Sequence, residues 1–136
     1  MSGVTAVLVL LNGLVAMVAP AANQTDDIRI VSLEPRGPVA AGIKTEFRIV
    51  VEVDLESTDE ADVHVGFNID SPGSYRMVAG RELRSGRQQV TFVVSVVPVD
   101  WADRGDFAVM AHVSPATRGS RWTPTASVRK TIPVKH

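Results

Sequence analysis

Apolar and polar residues alternate with a period of two along most of the chain beyond residue 26, and no 3.6-residue pattern persists for three turns. Phe47, Ile49, Val51, Val53 and Leu55 share one face, with Glu46, Arg48, Glu52 and Asp54 on the other. Val63, Val65, Phe67 and Ile69 alternate with His64, Gly66, Asn68 and Asp70. Two further runs follow, Val90, Phe92, Val94 and Val96, then Phe107, Val109, Ala111 and Val113. Residues 28–33 and 75–78 are shorter candidates, and a weaker last strand has Ala126, Val128, Ile132 and Val134 in phase, interrupted by Lys130. Turn chemistry separates these runs at Glu34-Pro35-Arg36-Gly37-Pro38 and Ser71-Pro72-Gly73-Ser74, and Ser85-Gly86 predicts a tight hairpin.

About seven short strands, each with one apolar face, predict two antiparallel sheets packed face to face. The fold class expected is therefore all-β, an immunoglobulin-like antiparallel β-sandwich. Asp27-Ile28-Arg29-Ile30-Val31-Ser32-Leu33-Glu34-Pro35, followed by Gly42, Phe47, Ile49, Val51, Val53 and Ala61, resembles the opening of bacterial CARDB-type domains. That resemblance implies an immunoglobulin-like module of bacterial surface or secreted proteins, with adhesion or spacer roles. Asp103-x-Gly105-x-Phe107-x-Val109 is also similar to the run that leads into strand F of immunoglobulin domains, with Phe107 in place of its tyrosine and Val109 in place of its cysteine.

The first 25 residues carry no Asp, Glu, Lys or Arg, and an apolar stretch there ends in Ala19-Pro20-Ala21-Ala22. An apolar segment followed by small residues predicts a secretory signal over residues 1–22, with an uncleaved membrane anchor as the alternative. Residues 23–136 then form the domain, placed outside the cell, in the periplasm or at the cell surface. The whole chain has 136 residues, a formal net charge of −1 and no cysteine. The charge gives no reason to expect nucleic acid as a partner. The missing thiols exclude disulfides, Cys-ligated zinc, iron–sulfur clusters and thiol catalysis.

Four constellations remain as candidate sites. His64 and His112 fall on the outward phase of strands that neighbour each other in this fold. The register that pairs Phe67 with Val109 also pairs the two histidines, whose Cβ atoms would lie roughly 5 Å apart. Two imidazoles with a third donor suit zinc or copper; the plainer reading is two half-exposed sheet residues, and Arg129 on the last strand would repel a cation. Asp54, Glu56, Asp59 and Asp62 offer hard oxygens for calcium, which Asp26 and Asp27 would join; otherwise they form a solvated acidic loop, neutralised by Arg118 and Arg121. Arg76, Arg81, Arg84 and Arg87 form a basic hairpin suited to an anionic glycan or lipid head group, or charges that guard a sheet edge. Trp101 and Trp122 are the loop tryptophans available for stacking on a sugar, although a loop tryptophan more often caps the core.

No serine occupies a nucleophile motif, so no catalytic residues and no cofactor are expected. Residues 26–70 carry 11 acidic and 4 basic side chains, whereas residues 71–136 carry 4 and 10. Such a division favours weak head-to-tail self-association unless the strands interleave and cancel it. The expected role is a structural or protein-interaction module whose partner is another protein or a cell-envelope component. The alternative is a binding domain for calcium or an acidic glycan, through residues 54–62 or 76–87.

Overall fold

Seven strands in chain order, β1 (Asp27–Glu34), β2 (Val39–Ala40), β3 (Thr45–Ser71), β4 (Ser74–Val96), β5 (Ala108–Pro115), β6 (Ala126–Thr131) and β7 (Val134–Lys135), make up a computed structural model that describes residues 25–115 and 124–135. β3 and β4 form one long antiparallel hairpin that turns at Pro72-Gly73 and stays paired from Ser71↔Ser74 to Thr45↔Val96. Residues 45–55 of β3 lie between β1 and residues 86–96 of β4, giving a three-stranded layer. Residues 60–71 of β3 lie between the first half of β4 and β5, with β6 beyond, giving a four-stranded layer. The chain is an immunoglobulin-like β-sandwich in which one hairpin runs through both layers.

The passage between layers follows from a mismatch in length. Leu55 pairs with Gly86 and Glu60 with Arg84, so residues 56–59 of β3 face the single residue Ser85 of β4. Extra residues on one strand bend it and raise its twist, which turns the hairpin out of the first layer into the second. Ser85-Gly86 is therefore not the hairpin turn that its composition suggests. Gly86 takes φ +104 in this bend, a backbone conformation that glycine adopts at little cost. Two pairs of predicted strands fuse into β3 and β4 for the same reason. The weak last strand instead splits into β6 and β7 around Ile132-Pro133, and β7 pairs in parallel with β2.

Between the layers, Phe47, Ile49, Val51, Val53, Val63, Val65, Phe67, Val109, Ala111 and Val113 are fully buried. Phe47 from the first layer meets Phe67 from the second at 5.1 Å between ring centroids, and Phe107 completes the cluster at 5.7 Å from Phe67. These are the inward residues that the alternation selects. Its outward set fares less uniformly, because Asn68, Ala108, His112 and Ser114 are also buried. All four lie on β3 and β5, the central strands of the four-stranded layer, with a paired strand on either side.

Candidate functional site

The outer face of the four-stranded layer is built in rows by strand register. One row runs Gly80, His64, His112, Ser127 across β4, β3, β5 and β6. The next outward row runs Met77, Gly66, Met110, Arg129. His64 and His112 are thus direct cross-strand partners, with ring centroids 5.6 Å apart in an edge-to-face arrangement. His64 is half-buried, as the plain reading expects, but His112 is only 3% exposed. Burial, and then the charge of neighbouring His64, hold the His112 pKa below the usual histidine range. Both effects favour the neutral imidazole.

Two glycines shape this face. A Cβ on Gly80 would lie 2.5 Å from His64 Cδ2 and 2.8 Å from Nε2, so the absence of a side chain there lets the imidazole lie over β4. A Cβ on Gly66 would lie 2.6 Å from Met77 Cε and 2.5 Å from the Arg76 carbonyl oxygen. The Met77 methyl therefore leans over Gly66, between β4 and Met110. Arg129 does not aim at the histidines: its Nε donates to the Tyr75 hydroxyl at 2.6 Å and Nη1 to Thr131 Oγ1 at 3.4 Å. Thr131 lies in the row beyond Met110, on the side away from the histidines.

Asn68 is the residue that alternation misplaces. Its phase reads as solvent, yet it is fully buried and every polar group of its side chain is used. Nδ2 donates to the carbonyls of Pro72 at 3.0 Å and Asp106 at 2.7 Å, and Oδ1 accepts the Ala108 amide at 2.9 Å. The Asn68 carbonyl in turn accepts Trp101 Nε1 at 2.8 Å. Trp101 thus closes one end of the sandwich, with the Arg104 guanidinium 5.5 Å from its ring centre. A sequence signal did exist, since Asn rather than a charged residue stands at an outward position beside a turn.

The acidic and basic candidates prove to be two sides of one strand pair. Asp54 faces Arg87 at 3.8 Å, Glu60 faces Arg84 at 3.4 Å, and Asp70 is held by Arg76 at 2.6 Å. Arg81 makes no ion pair among the described residues. Asp62 stands opposite Glu82. Asp54, Glu56, Asp59 and Asp62 do not converge, and among the described residues no three His, Asp or Glu side chains gather as a metal site. The arginines line an edge strand rather than a separate hairpin. These three ion pairs each join an acidic residue of the first half of the sequence to an arginine of the second. Arg118, Arg121 and Trp122 lie outside the described residues.

Asp26 does reach the acidic segment, though as a clamp. Oδ1 accepts the amides of Glu56 at 2.8 Å and Ser57 at 2.9 Å, while Oδ2 accepts the Ser57 hydroxyl at 2.6 Å and the Thr125 hydroxyl. Partial burial alone would raise its pKa. The Ser57 and Thr125 hydroxyls and the two amides outweigh that and hold the carboxyl below the usual aspartate range. One carboxylate thus ties the entry to β1 and the approach to β6 onto the bend of β3.

No protein-family model matches the chain, and no curated protein matches it. Among solved structures, the CARDB domain of the PF1109 protein from Pyrococcus furiosus, in complex with di-metal ions, is similar over 82% of this chain and 93% of that one. Identity is 14% and the TM-score 0.39.

Proposed function

We propose that the chain is a secreted or cell-envelope immunoglobulin-like module that works by surface contact with another protein or envelope component and carries no catalysis. The observation that supports this most directly is β4. Over 23 residues it pairs with β3 alone among the described strands, so its other side presents main-chain donors and acceptors on either side of the bend, where the Gln88 side chain bonds the main chain of Arg84 and Gly86. An exposed edge of that kind takes an extended segment by strand addition, with main-chain hydrogen bonds supplying affinity. Arg76, Arg84 and Arg87 already hold carboxylates, and Arg81 remains to orient an acidic partner segment. The uncharged apolar start of the sequence supports the secreted address, as a cleaved signal over residues 1–22.

A photo-crosslinkable residue at position 81 tests the reading when the full chain is expressed in its own envelope. The expected result is a discrete adduct from position 81 and none from position 48, on the outer face of the other layer. Intact mass of the recovered chain reads whether it begins near residue 23. No adduct at position 81, with adducts at position 48, would place the contact elsewhere. Turnover of a substrate that disappears on changing His64 or His112 would replace the reading with an enzyme.

A further inference from the structure

We propose that the second half of β4, over residues 89–97, is the seam of a two-fold dimer in which two copies of the chain pair edge to edge, antiparallel, about Val93. The observation is a contrast within one strand. β4 has β3 as its neighbour on one side and none among the described strands on the other. Before the bend that open edge is guarded by Arg76, Arg81, Glu82 and Arg84, with Arg87 just beyond. Arg81 stands on the inward phase, opposite Val63, and an inward-phase charge on an edge strand keeps sheet edges from joining. After the bend the guard stops. From Gln88 to Val99 there is no charged residue, and Val, Thr and Phe prevail, the composition of a strand that pairs. Val90, Phe92 and Val96 are buried in the chain's own core, whereas Val93 and Val97 on the outer face remain 52% and 45% exposed.

The partner follows from the symmetry of the stretch. Pairing about Val93 sets Phe92 opposite Val94, Val90 opposite Val96, Thr91 opposite Ser95 and Gln89 opposite Val97 of the second copy. Inward residues meet inward residues and outward residues meet outward ones, so both cores stay on the same side and two three-stranded layers join into one of six strands. Val93 faces its own counterpart, and the two exposed valines cover each other. The Gly42 amide bonds the Pro98 carbonyl at 2.9 Å, which keeps the run beside the approach to β3 as far as residue 98. Pro98 itself, with no amide to donate, falls just outside the seam. Carried past the seam, the same register brings Arg87 of each copy toward Asp100 of the other, so the ends attract. Such an interface is isologous and closes at two copies. It is separate from the contact proposed at position 81, which lies on the other side of the bend.

The test is sedimentation velocity across a dilution series, on the chain as recovered from its own envelope. A monomer–dimer equilibrium is expected, with nothing larger at the highest concentration. Val93→Lys sets like charges against each other on the axis and weakens the dimer at least tenfold, while the melting temperature of the dilute monomer changes little, because that side chain is half exposed. Thr91→Lys with Ser95→Lys sets like charges across the seam and dissociates it; Thr91→Lys with Ser95→Glu sets opposite charges there and keeps it. The chain has no cysteine, so Val93→Cys supplies its single thiol. Mild oxidation is expected to link two copies through position 93, and none through Arg48→Cys, one strand in from the seam. A chain that stays monomeric throughout, a dimer indifferent to Val93→Lys, equal behaviour of the two charge pairs, or open-ended association would each overturn the proposal. An adduct at position 81 from a chain that never dimerises would overturn this inference and leave the proposed function standing; a dimer without that adduct would do the reverse.

Discussion

The two layers of the sandwich show the same chemistry inward and different chemistry outward. Inside, both contribute close-packed Val and Phe. Outside, the three-stranded layer carries Arg29 bonded to Glu52, and Arg87 beside Asp54. The four-stranded layer carries uncharged Gly66, Asn68, Met77 and Met110 with the two histidines at its centre, where Gly66, Asn68 and His112 are buried, and keeps its ion pairs, Glu60 with Arg84 and Asp70 with Arg76, at the β3–β4 edge. A face of solvated ion pairs is satisfied by water and contributes little stability or selectivity. Buried polar groups such as those of Asn68 and His112 have few ways to be satisfied, so the residues around them are constrained by one another. The second face is where a specific chemistry is to be sought, while the first keeps the sandwich soluble.

The equivalence of the inner faces can be broken hardest at the aromatic cluster. Phe47→Ala removes the ring that joins the layers, and buried Phe→Ala changes cost about 3–5 kcal/mol. A loss of that size lowers the melting temperature of a domain this large by roughly 10–20 °C, as calorimetry would show. Asn68→Ala comes next, from the outer face of the other layer. It strands the Ala108 amide and the carbonyls of Pro72 and Asp106, and each unsatisfied buried group costs about 1–3 kcal/mol. With some access for water, a total of roughly 2–4 kcal/mol is expected, together with faster hydrogen exchange at Ala108. If Asn68→Ala melted like the parent, the outer face would have to be reclassified as ordinary surface.

The inner face was legible in the sequence because period-two alternation is a direct image of burial on one side of a strand. The register of β3 against β5 was legible too, since fixing Phe67 opposite Val109 fixes every other pair, His64 with His112 among them. Hidden from the pattern was the bend of the long hairpin. Residues 56–59 and Ser85-Gly86 have the composition of turns, and only the pairing of Leu55 with Gly86 and Glu60 with Arg84 shows that the strands continue through them. The neutralisation of Asp54 by Arg87 depends on that continuation, so the acidic segment and the arginines read as two separate sites. Burial of His112 and Asn68 was hidden for another reason. Alternation says which side of a sheet a residue faces and nothing of what lies across that side.

Smaller effects separate the two glycines that shape the outer face. Gly66→Ala drives a methyl against the Arg76 carbonyl, which is backbone of a paired strand, and overpacking of this kind costs about 1–3 kcal/mol. Gly80→Ala meets chiefly the edge of the His64 ring, which is able to rotate, with the Val63 carbonyl oxygen farther off at 3.3 Å, so a loss of about 1 kcal/mol is expected, with a displaced His64 resonance. Acid sharpens the comparison further. The folded pKa of His112 lies below its ordinary value of 6.5, so below that pH the unfolded chain takes up the proton first. Stability from this group is complete above pH 6.5 and is lost as pH falls through the folded pKa. A chelator-treated chain should melt progressively lower from pH 7 to pH 5, and His112→Gln should flatten that slope. Asp26 acts in a separate window: its pKa is also depressed, so its contribution fades only below the ordinary aspartate value of 3.8.

The smallest effect belongs to the exposed ion pairs, and its smallness is what the comparison requires. Arg76 holds Asp70 through two hydrogen bonds, of 2.9 and 2.6 Å, yet both side chains are more than half exposed, at 60% and 52%. In water the attraction between them is screened, and fixing a long arginine side chain costs rotamer entropy. A double-mutant cycle with Arg76→Ala and Asp70→Ala should return a coupling of about 0–1 kcal/mol, falling toward zero as salt is raised. Glu60 with Arg84, longer and more exposed, should return less still. A coupling of several kcal/mol that persisted in high salt would show that the charged strand edge is as constrained as the histidine face, and the contrast between solvated and specific surfaces would fail.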